Sequence, residues 1–274
     1  MTTVVVICFR IVYQMSAAAA MSHCVPPLPA DLKQIAVLLD VDGTILDIAP
    51  TPWEVSVPQS LRDTLCRLWE RTGGALAFVS GRLVSEVDRI FSPLKLPAVG
   101  GHGAELRVVA GGATEVARLA KLDDEVKRQF AMIADAASGI ILEDKGYSLA
   151  LHYRLAPDKE RLVNESAARI YAALGDPSLE LLPGKLVVEV KRSGATKATA
   201  VRKLMSHPPF CARRPIFIGD DVTDLGVFKV LPDFAGTSIG VGPVVSGADF
   251  WIETPSDVRH WLERMSRIES FATS

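Results

Sequence analysis

IAVLLDVDGT, residues 35–44, is the stretch whose reading decides the fold. Its first five side chains are all apolar, with none of the alternation expected of a strand that has one face in water. A short unbroken run of this kind is how a strand reads when both faces of a parallel sheet are covered. The run ends at Asp40-Val41-Asp42-Gly43, so two carboxylates emerge where the strand stops and the glycine permits a tight departure. In an open α/β sheet, ligands sit beyond the carboxyl ends of the strands. Two aspartates two residues apart can divide nucleophile and acid–base roles there, or share a hard cation. An Asp-Gly pair also serves in ordinary turns.

The flanking chain supports the same architecture. Leu61, Leu65, Leu68 and Trp69 fall at i, i+4, i+7 and i+8, which predicts a helix that Pro58 opens and Gly73-Gly74 closes. ALAFVS (75–80) reads as a second buried strand, and Leu83, Val87, Ile90 and Phe91 give the next helix. Strand–helix alternation with apolar strands predicts a doubly wound, Rossmann-like parallel sheet. The middle of the chain differs. LDDEVKRQFAMIADAA and PDKERLVNESAARIYAAL are helical, while IILED and YSLALHYR flank Lys145-Gly146, and LELL and KLVVEVKR flank Pro183-Gly184. Paired strands with tight glycine connections predict an antiparallel α+β unit. After a helix through 195–205, the strand PIFIGD, a helix near 225–231 and a C-terminal helix through Val258, Trp261, Leu262 and Met265 return to the first style. The expected organisation is an N-terminal extension at 1–34, a core at 35–107 plus 193–274, and an inserted α+β cap at 108–192.

Composition limits what such a fold does. The chain has 274 residues, room for one large domain or two smaller ones. Its 30 Lys and Arg against 32 Asp and Glu, a net charge of -2, argue against a nucleic-acid binder reliant on bulk positive charge. Cys8, Cys24, Cys66 and Cys211 show no CxxC spacing, so neither a disulfide framework nor a zinc knuckle is indicated, and a reducing, cytoplasmic setting is expected. Near the start, the apolar run Val4–Phe9 is far below the ~18 residues of a spanning helix. Met1-Thr2-Thr3 lacks the positive charge that opens a signal peptide, although an AAAA tract follows. An extension, without stable membrane insertion, is the expectation there.

Two further strand ends carry polar residues. In FVSGR, Ser80 and Gly81 place a hydroxyl and main-chain N–H groups ahead of a helix, a natural phosphate cradle; a serine there also serves as a helix N-cap. In IFIGDDVTD, Asp220, Asp221 and Asp224 crowd one strand end, and like charges held close need a cation or donors to offset them. Lys197, near a helix start, lies 117 residues after Ser80 and 23 before Asp220, which accommodates the cap, then one helix and one strand. All four signals can therefore meet at one sheet edge. Together they supply a nucleophile, a proton donor, magnesium ligands and a cationic phosphate clamp, the parts of a phosphoryl-transfer site.

With these four motifs, DVDGT, VSGR with Ser80, Lys197 and GDDVTD, the sequence resembles the haloacid dehalogenase superfamily of aspartate-nucleophile phosphatases. It resembles more specifically the trehalose-6-phosphate phosphatase family, through GGHGAELR (100–107), LEDKGYSLALHYR (142–154) and GKLVVEVKRSGATK (184–197). The resemblance spans roughly residues 36–265. It implies Asp40 as nucleophile and Asp42 as the group that protonates the departing sugar oxygen and then activates water. It implies Mg2+ held by the Asp40 carboxylate, the Asp42 main-chain carbonyl and Asp220, with Asp224 nearby, and phosphate oxygens held by Ser80 and Lys197, beside Gly43, Gly81 and Arg82. His102, Glu143, Lys145, His152, Arg154, Lys185 and Glu189 are similar to the family's sugar-binding set; the alternation of His152 with Leu149 and Leu151 leaves a solvent-face residue as the lesser alternative there. The implied substrate is trehalose 6-phosphate, with functional coupling to a trehalose-6-phosphate synthase; another sugar phosphate and a non-catalytic sugar-phosphate binder are the alternatives. Three positions depart from the family pattern, Leu225 for glutamate, Ala198 for glycine and Arg192 for proline. Leucine at 225 removes a polar support for the metal-holding carboxylates, which predicts a higher magnesium requirement, unless it packs against the strand IFI or the helix that follows.

Overall fold

The computed structural model describes residues 26–243 and 247–268. Most of the expected N-terminal extension, residues 1–25, lies outside them. In chain order the elements are β1 (Ile35–Leu39), α1 (Gln59–Arg71), β2 (Leu76–Val79), α2 (Val84–Phe91), β3 (Ala98–Gly100), β4 (Glu105–Arg107) and β5 (Glu115–Val116). There follow α3 (Asp124–Asp135), β6 (Ile141–Asp144), β7 (Ser148–His152), α4 (Glu160–Leu174), β8 (Leu179–Gly184) and β9 (Val187–Arg192). The last group is α5 (Lys197–Met205), β10 (Arg214–Gly219), α6 (Leu225–Phe228), β11 (Thr237–Val241), β12 (Phe250–Ile252) and α7 (Pro255–Ser266).

The core sheet runs β12-β11-β10-β1-β2-β3-β4-β5, parallel from β12 through β3 and antiparallel at β4 and β5. β1 is central and buried at every position because alternate side chains serve two cores. Val37 and Leu39 join the cluster under α1, α2 and α7, with Phe78, Ile218 and Trp261, while Ala36 and Leu38 join that under α5 and α6, with Val201, Phe217 and Phe228. The apolar run of the sequence is thus a strand covered on both faces. On α1 the buried stripe is Leu61, Thr64, Leu65 and Leu68, whereas Trp69, expected to extend it, is half-exposed. Position 69 lies roughly 80° round the helix from Leu61 and falls off the stripe.

A second sheet, β6-β7-β9-β8, is antiparallel throughout. α3 and α4 cover one face, around Phe130, Leu149, Leu151, Tyr153, Val163, Val188 and Val190. Ser148, His152, Glu189 and Lys191 alternate with those residues, so the polar set lies on the other face. Residues 108–116, grouped with the cap in the sequence reading, instead include β5, which pairs with β4 at the edge of the core sheet.

Candidate active site

The chain builds β1, β2 and β3 to one side and β10, β11 and β12 to the other, so the sheet order reverses between β1 and β10. The crevice beyond their carboxyl ends is where such sheets bind ligands. Asp40 follows β1, its main-chain N–H donating to Ile218 O of β10 at 2.9 Å. Asp220 follows β10, and a short turn capped by Asp221 presents Asp224. Lys197, first residue of α5, donates to Asp40 Oδ1 and Asp224 Oδ1, both at 2.8 Å. The Thr44 hydroxyl lies 3.1 Å from Asp40 Oδ2 and 3.0 Å from Asp220 Oδ1, and its one proton serves a single carboxylate at a time. Close approach is what requires glycine at 43: its φ is +80°, and a Cβ there would stand 2.1 Å from Asp220 Oδ2.

Asp40, Asp220 and Asp224 are buried, with one oxygen of each lying within 4.8 Å of the others. Burial, with the charges of Asp40 and Asp224, pushes Asp220 up to about 8; burial also raises Asp40 to about 6, against the pull of Lys197. Burial works against the Lys197 ammonium, but Asp224 and Asp40 outweigh it and hold its pKa up. Two carboxylates with so little compensation, among oxygen donors only, fit a small hard dication such as magnesium. The Asp42 carboxylate is not in this trio. Both of its oxygens accept from Arg82 at 2.6 Å, and Arg82 is braced by the Pro52 carbonyl at 2.8 Å.

Ser80 follows β2, buried, its Oγ accepting the Arg82 N–H at 3.1 Å. Ser80 is not the cap of the helix that follows. α2 begins after its cap residue Leu83, whose N–H donates to Glu86 (3.0 Å), while the N–H of Val84, its first residue, donates to Glu105 (2.7 Å). Gly81 is needed because a Cβ would meet the His102 ring at 2.5 Å. His102 itself adopts φ 53° between Gly101 and Gly103, which turns its ring into the crevice.

The cap supplies the opposite wall. Lys145 donates to Gly81 O at 3.1 Å and lies 3.4 Å from Glu189 and 3.9 Å from Glu143. Glu143 pairs with His152 at 2.8 Å, and Glu189 with His102 at 3.1 Å. Burial would raise the Glu189 carboxyl, but Lys145 and His102 hold it far below the carboxylate range. Burial likewise opposes the Glu143 charge, which His152 and Lys145 restore, and the Lys145 charge, which Glu189 and Glu143 restore. Arg154 donates to Ala49 O at 3.2 Å, and half-exposed Lys185 stands 3.6 Å from Asp220. His152 is buried, not on a solvent face.

One cavity of about 100 Å³ is lined by Asp40, Asp42, Ser80, Gly81, Arg82, His102, Glu143, Lys145, His152, Arg154, Lys185, Glu189, Lys197 and Asp220. Gly43 and Asp224 lie beneath it, against Asp220 and Lys197. Ile48, Pro52, Val187 and Thr223 also line it, with no role assigned by sequence reasoning, and so does Asp221, one of the three carboxylates read from the sequence as a crowded strand end. Nor did it single out Thr44, although that residue stands inside DVDGT. Leu225 packs half-buried against the α5–α6 cluster, whereas the Thr44 hydroxyl lies within reach of Asp220 and Asp40. Buried polar atoms without a partner among the described residues include His102 Nδ1, His152 Nδ1, Arg154 Nε, Glu189 Oε1 and Thr223 Oγ1. All five residues line the cavity.

A doubly wound sheet with this lysine–carboxylate cluster at its switch point, under an inserted α+β cap, defines a phosphatase of the haloacid dehalogenase class. The trehalose-phosphatase family model matches residues 38–250, and the chain belongs to that family. It is 39% identical over 241 residues to a probable trehalose-phosphate phosphatase of Sinorhizobium fredii, covering 88% of this chain and 90% of that protein. Over 232 residues it is 36% identical to the trehalose-6-phosphate phosphatase of Escherichia coli, covering 84% and 86%. The C-terminal domain of the C. albicans trehalose-6-phosphate phosphatase has the same fold, with a TM-score of 0.75 at 21% identity, covering 86% of this chain and 93% of that one. No described helix is long and apolar enough to cross a membrane.

Proposed function

We propose that this chain hydrolyses trehalose 6-phosphate to trehalose and inorganic phosphate, with magnesium, through an aspartyl-phosphate on Asp40. The observation that carries the reading is the contact of Lys197 with Asp40 and Asp224, directly beneath a cap wall of unpartnered polar atoms. An Asp40 oxygen forms the bond to phosphorus while the bond to the sugar oxygen breaks, and Asp42 gives that oxygen its proton. Water then attacks phosphorus, Asp42 takes its proton, and Asp40 leaves as carboxylate. To act as an acid, Asp42 must release one of the two contacts it makes with Arg82. Asp40 and Asp220, with Asp224 behind them and the Asp42 main-chain carbonyl, would hold the magnesium ion, which neutralises phosphate charge. Lys197 and Ser80 steady phosphate oxygens, and Glu143, Lys145, His152, Arg154, Lys185 and Glu189 meet the sugar hydroxyls.

A cavity of about 100 Å³ is well under the roughly 300–1,000 Å³ of ligand pockets, so entry of a disaccharide phosphate requires the cap to lift from the core. The same reading includes functional coupling to a trehalose-6-phosphate synthase, since the substrate must be made by sugar transfer. It also places the protein in the cytoplasm, in keeping with the free thiols Cys66 and Cys211. The test is magnesium-dependent phosphate release from trehalose 6-phosphate, against glucose 6-phosphate and a small panel of other sugar phosphates. Faster turnover of another sugar would change the substrate. Full activity in Asp40→Asn would remove the covalent route, because an amide cannot attack phosphorus.

A further inference from the structure

The cap joins the core through an entry linker, residues 117–123, and an exit linker, residues 193–196. Two neighbouring cations at the end of β9 grip both. Arg192 uses all five of its N–H donors. Nε and Nη2 donate to Lys121 O (3.3 and 3.0 Å), Nη2 also to Asp123 (2.9 Å), and Nη1 to Asp176 (3.1 Å) and Ser178 Oγ (2.7 Å). Lys191 uses all three, on Glu180 (2.8 Å), Ala195 O (2.6 Å) and Arg192 O (3.3 Å). The main chain adds Leu122 N–H to Gly146 O, Arg192 N–H to Tyr147 O and Ser193 N–H to Ser178 O, at 2.8–2.9 Å. Buried long cations with every donor satisfied fix the main-chain groups they hold.

The clasp spans a glycine in the exit linker, which then reaches the chemistry. Gly194 has φ +100° and nothing within 4 Å of where a Cβ would stand. Two residues on, Thr196 caps α5, whose first residue is Lys197, and the core loop of His102 lies against it, a Cβ on Gly103 meeting Thr196 O at 2.1 Å. We propose that Arg192 and Lys191 form a hinge clasp that binds the entry and exit linkers together across Gly194, so that the cap and both linkers move as one body. Both are positioning residues: neither touches the cavity. The kinetic part rests on the reading that the cap closes over a sugar phosphate.

The test uses the full chain with Arg192→Gln, and Asp176→Asn as a second variant that leaves the arginine in place should the first not fold. Hydrogen exchange is followed at the Leu122 and Ser193 amides, with those of β7 and β1 as internal references. Loss of a charged hydrogen bond to the clasp is expected to speed exchange about tenfold at the linker amides, with the references unchanged. In parallel, kcat/KM for trehalose 6-phosphate is expected to fall about tenfold, while that for p-nitrophenyl phosphate, which needs no cap contact, changes by less than about twofold. A lower melting temperature with unchanged linker exchange, or equal losses on both substrates, would overturn the clasp. Failure of the unaltered protein to turn over trehalose 6-phosphate would refute the proposed substrate, and the exchange measurement would still decide the hinge.

Discussion

Replacing Gly43 by alanine perturbs the metal site through one atom. The new Cβ would stand 2.1 Å from Asp220 Oδ2, against 3.4 Å for ordinary contact, a shortfall of about 1.3 Å. The backbone gives little relief, because Val41 O accepts the N–H groups of Thr44, Ile45 and Leu46, and Gly43 N–H is bonded to Leu46 O. Asp220 must therefore swing away, which breaks its 3.0 Å contact with Thr44 and separates it from Asp40. Misplacing a reacting or holding group by about 1 Å costs on the order of 10²-fold in rate. A non-glycine residue at φ +80° adds about 1–2 kcal/mol of strain, roughly 2–8 °C in Tm for a domain of this size. The expected outcome is a folded protein whose phosphate release falls about 10²-fold and whose half-saturating magnesium concentration rises. Phosphate release across a magnesium titration, with calorimetry of the metal-free protein, measures all three. Activity within about threefold of the parent at an unchanged magnesium requirement would refute the placement of Asp220 in the metal site.

Asp42→Asn is expected to lose about 10²–10⁴ of the rate on trehalose 6-phosphate and recover part of it on an aryl phosphate, whose leaving group needs no proton; equal losses would assign Asp42 a structural task. Glu189→Gln tests the Glu189–Lys145 pair by pH. A carboxyl held far below its unfolded value of about 4.3 stabilises the fold fully above that pH, and the contribution is lost progressively as pH falls from there towards the depressed folded value. The variant should therefore melt roughly 4–8 °C lower at pH 6–7, equivalent to about 2 kcal/mol, with the gap closing below about pH 4; a gap constant with pH would refute the charge pairing. Leu225→Glu places a carboxylate against the apolar α5–α6 cluster and should lower Tm by roughly 2–4 °C for about 1 kcal/mol, leaving the magnesium requirement within about twofold. A lower requirement would show that residue 225 reaches the metal site after all.

Much of this protein is written in local pattern. The unbroken run at 35–39 can satisfy five buried apolar positions only between two helical layers, so the central strand and the sandwich around it follow from composition and length alone. Asp40, Ser80 and Asp220 are legible for the same reason, since each is the first polar residue after such a run and therefore stands where a parallel sheet opens to ligand. The antiparallel cap shows in its period-two strands and its glycine turns. Misreadings came where the pattern was local but the answer was not. Trp69 extends an apolar series yet points off the buried stripe, and Glu115–Val116 carries no strand signal of its own because β5 exists only through its pairing with β4.

What tertiary structure alone decided is which charges meet. Lys197 reaches Asp40 across 157 positions, Arg82 reaches Asp42 across 40, and His102 reaches Glu189 across 87. None of these separations has a period that sequence could display, and a surface lysine and a buried one look alike in a string of letters. The pairings arise because burial makes an unpaired charge costly, so the fold admits those residues only where a partner of opposite sign converges on them. Periodic burial of apolar side chains therefore determined the architecture from the sequence by itself, and desolvation of the charged side chains, settled only once distant strand ends come together, determined the site.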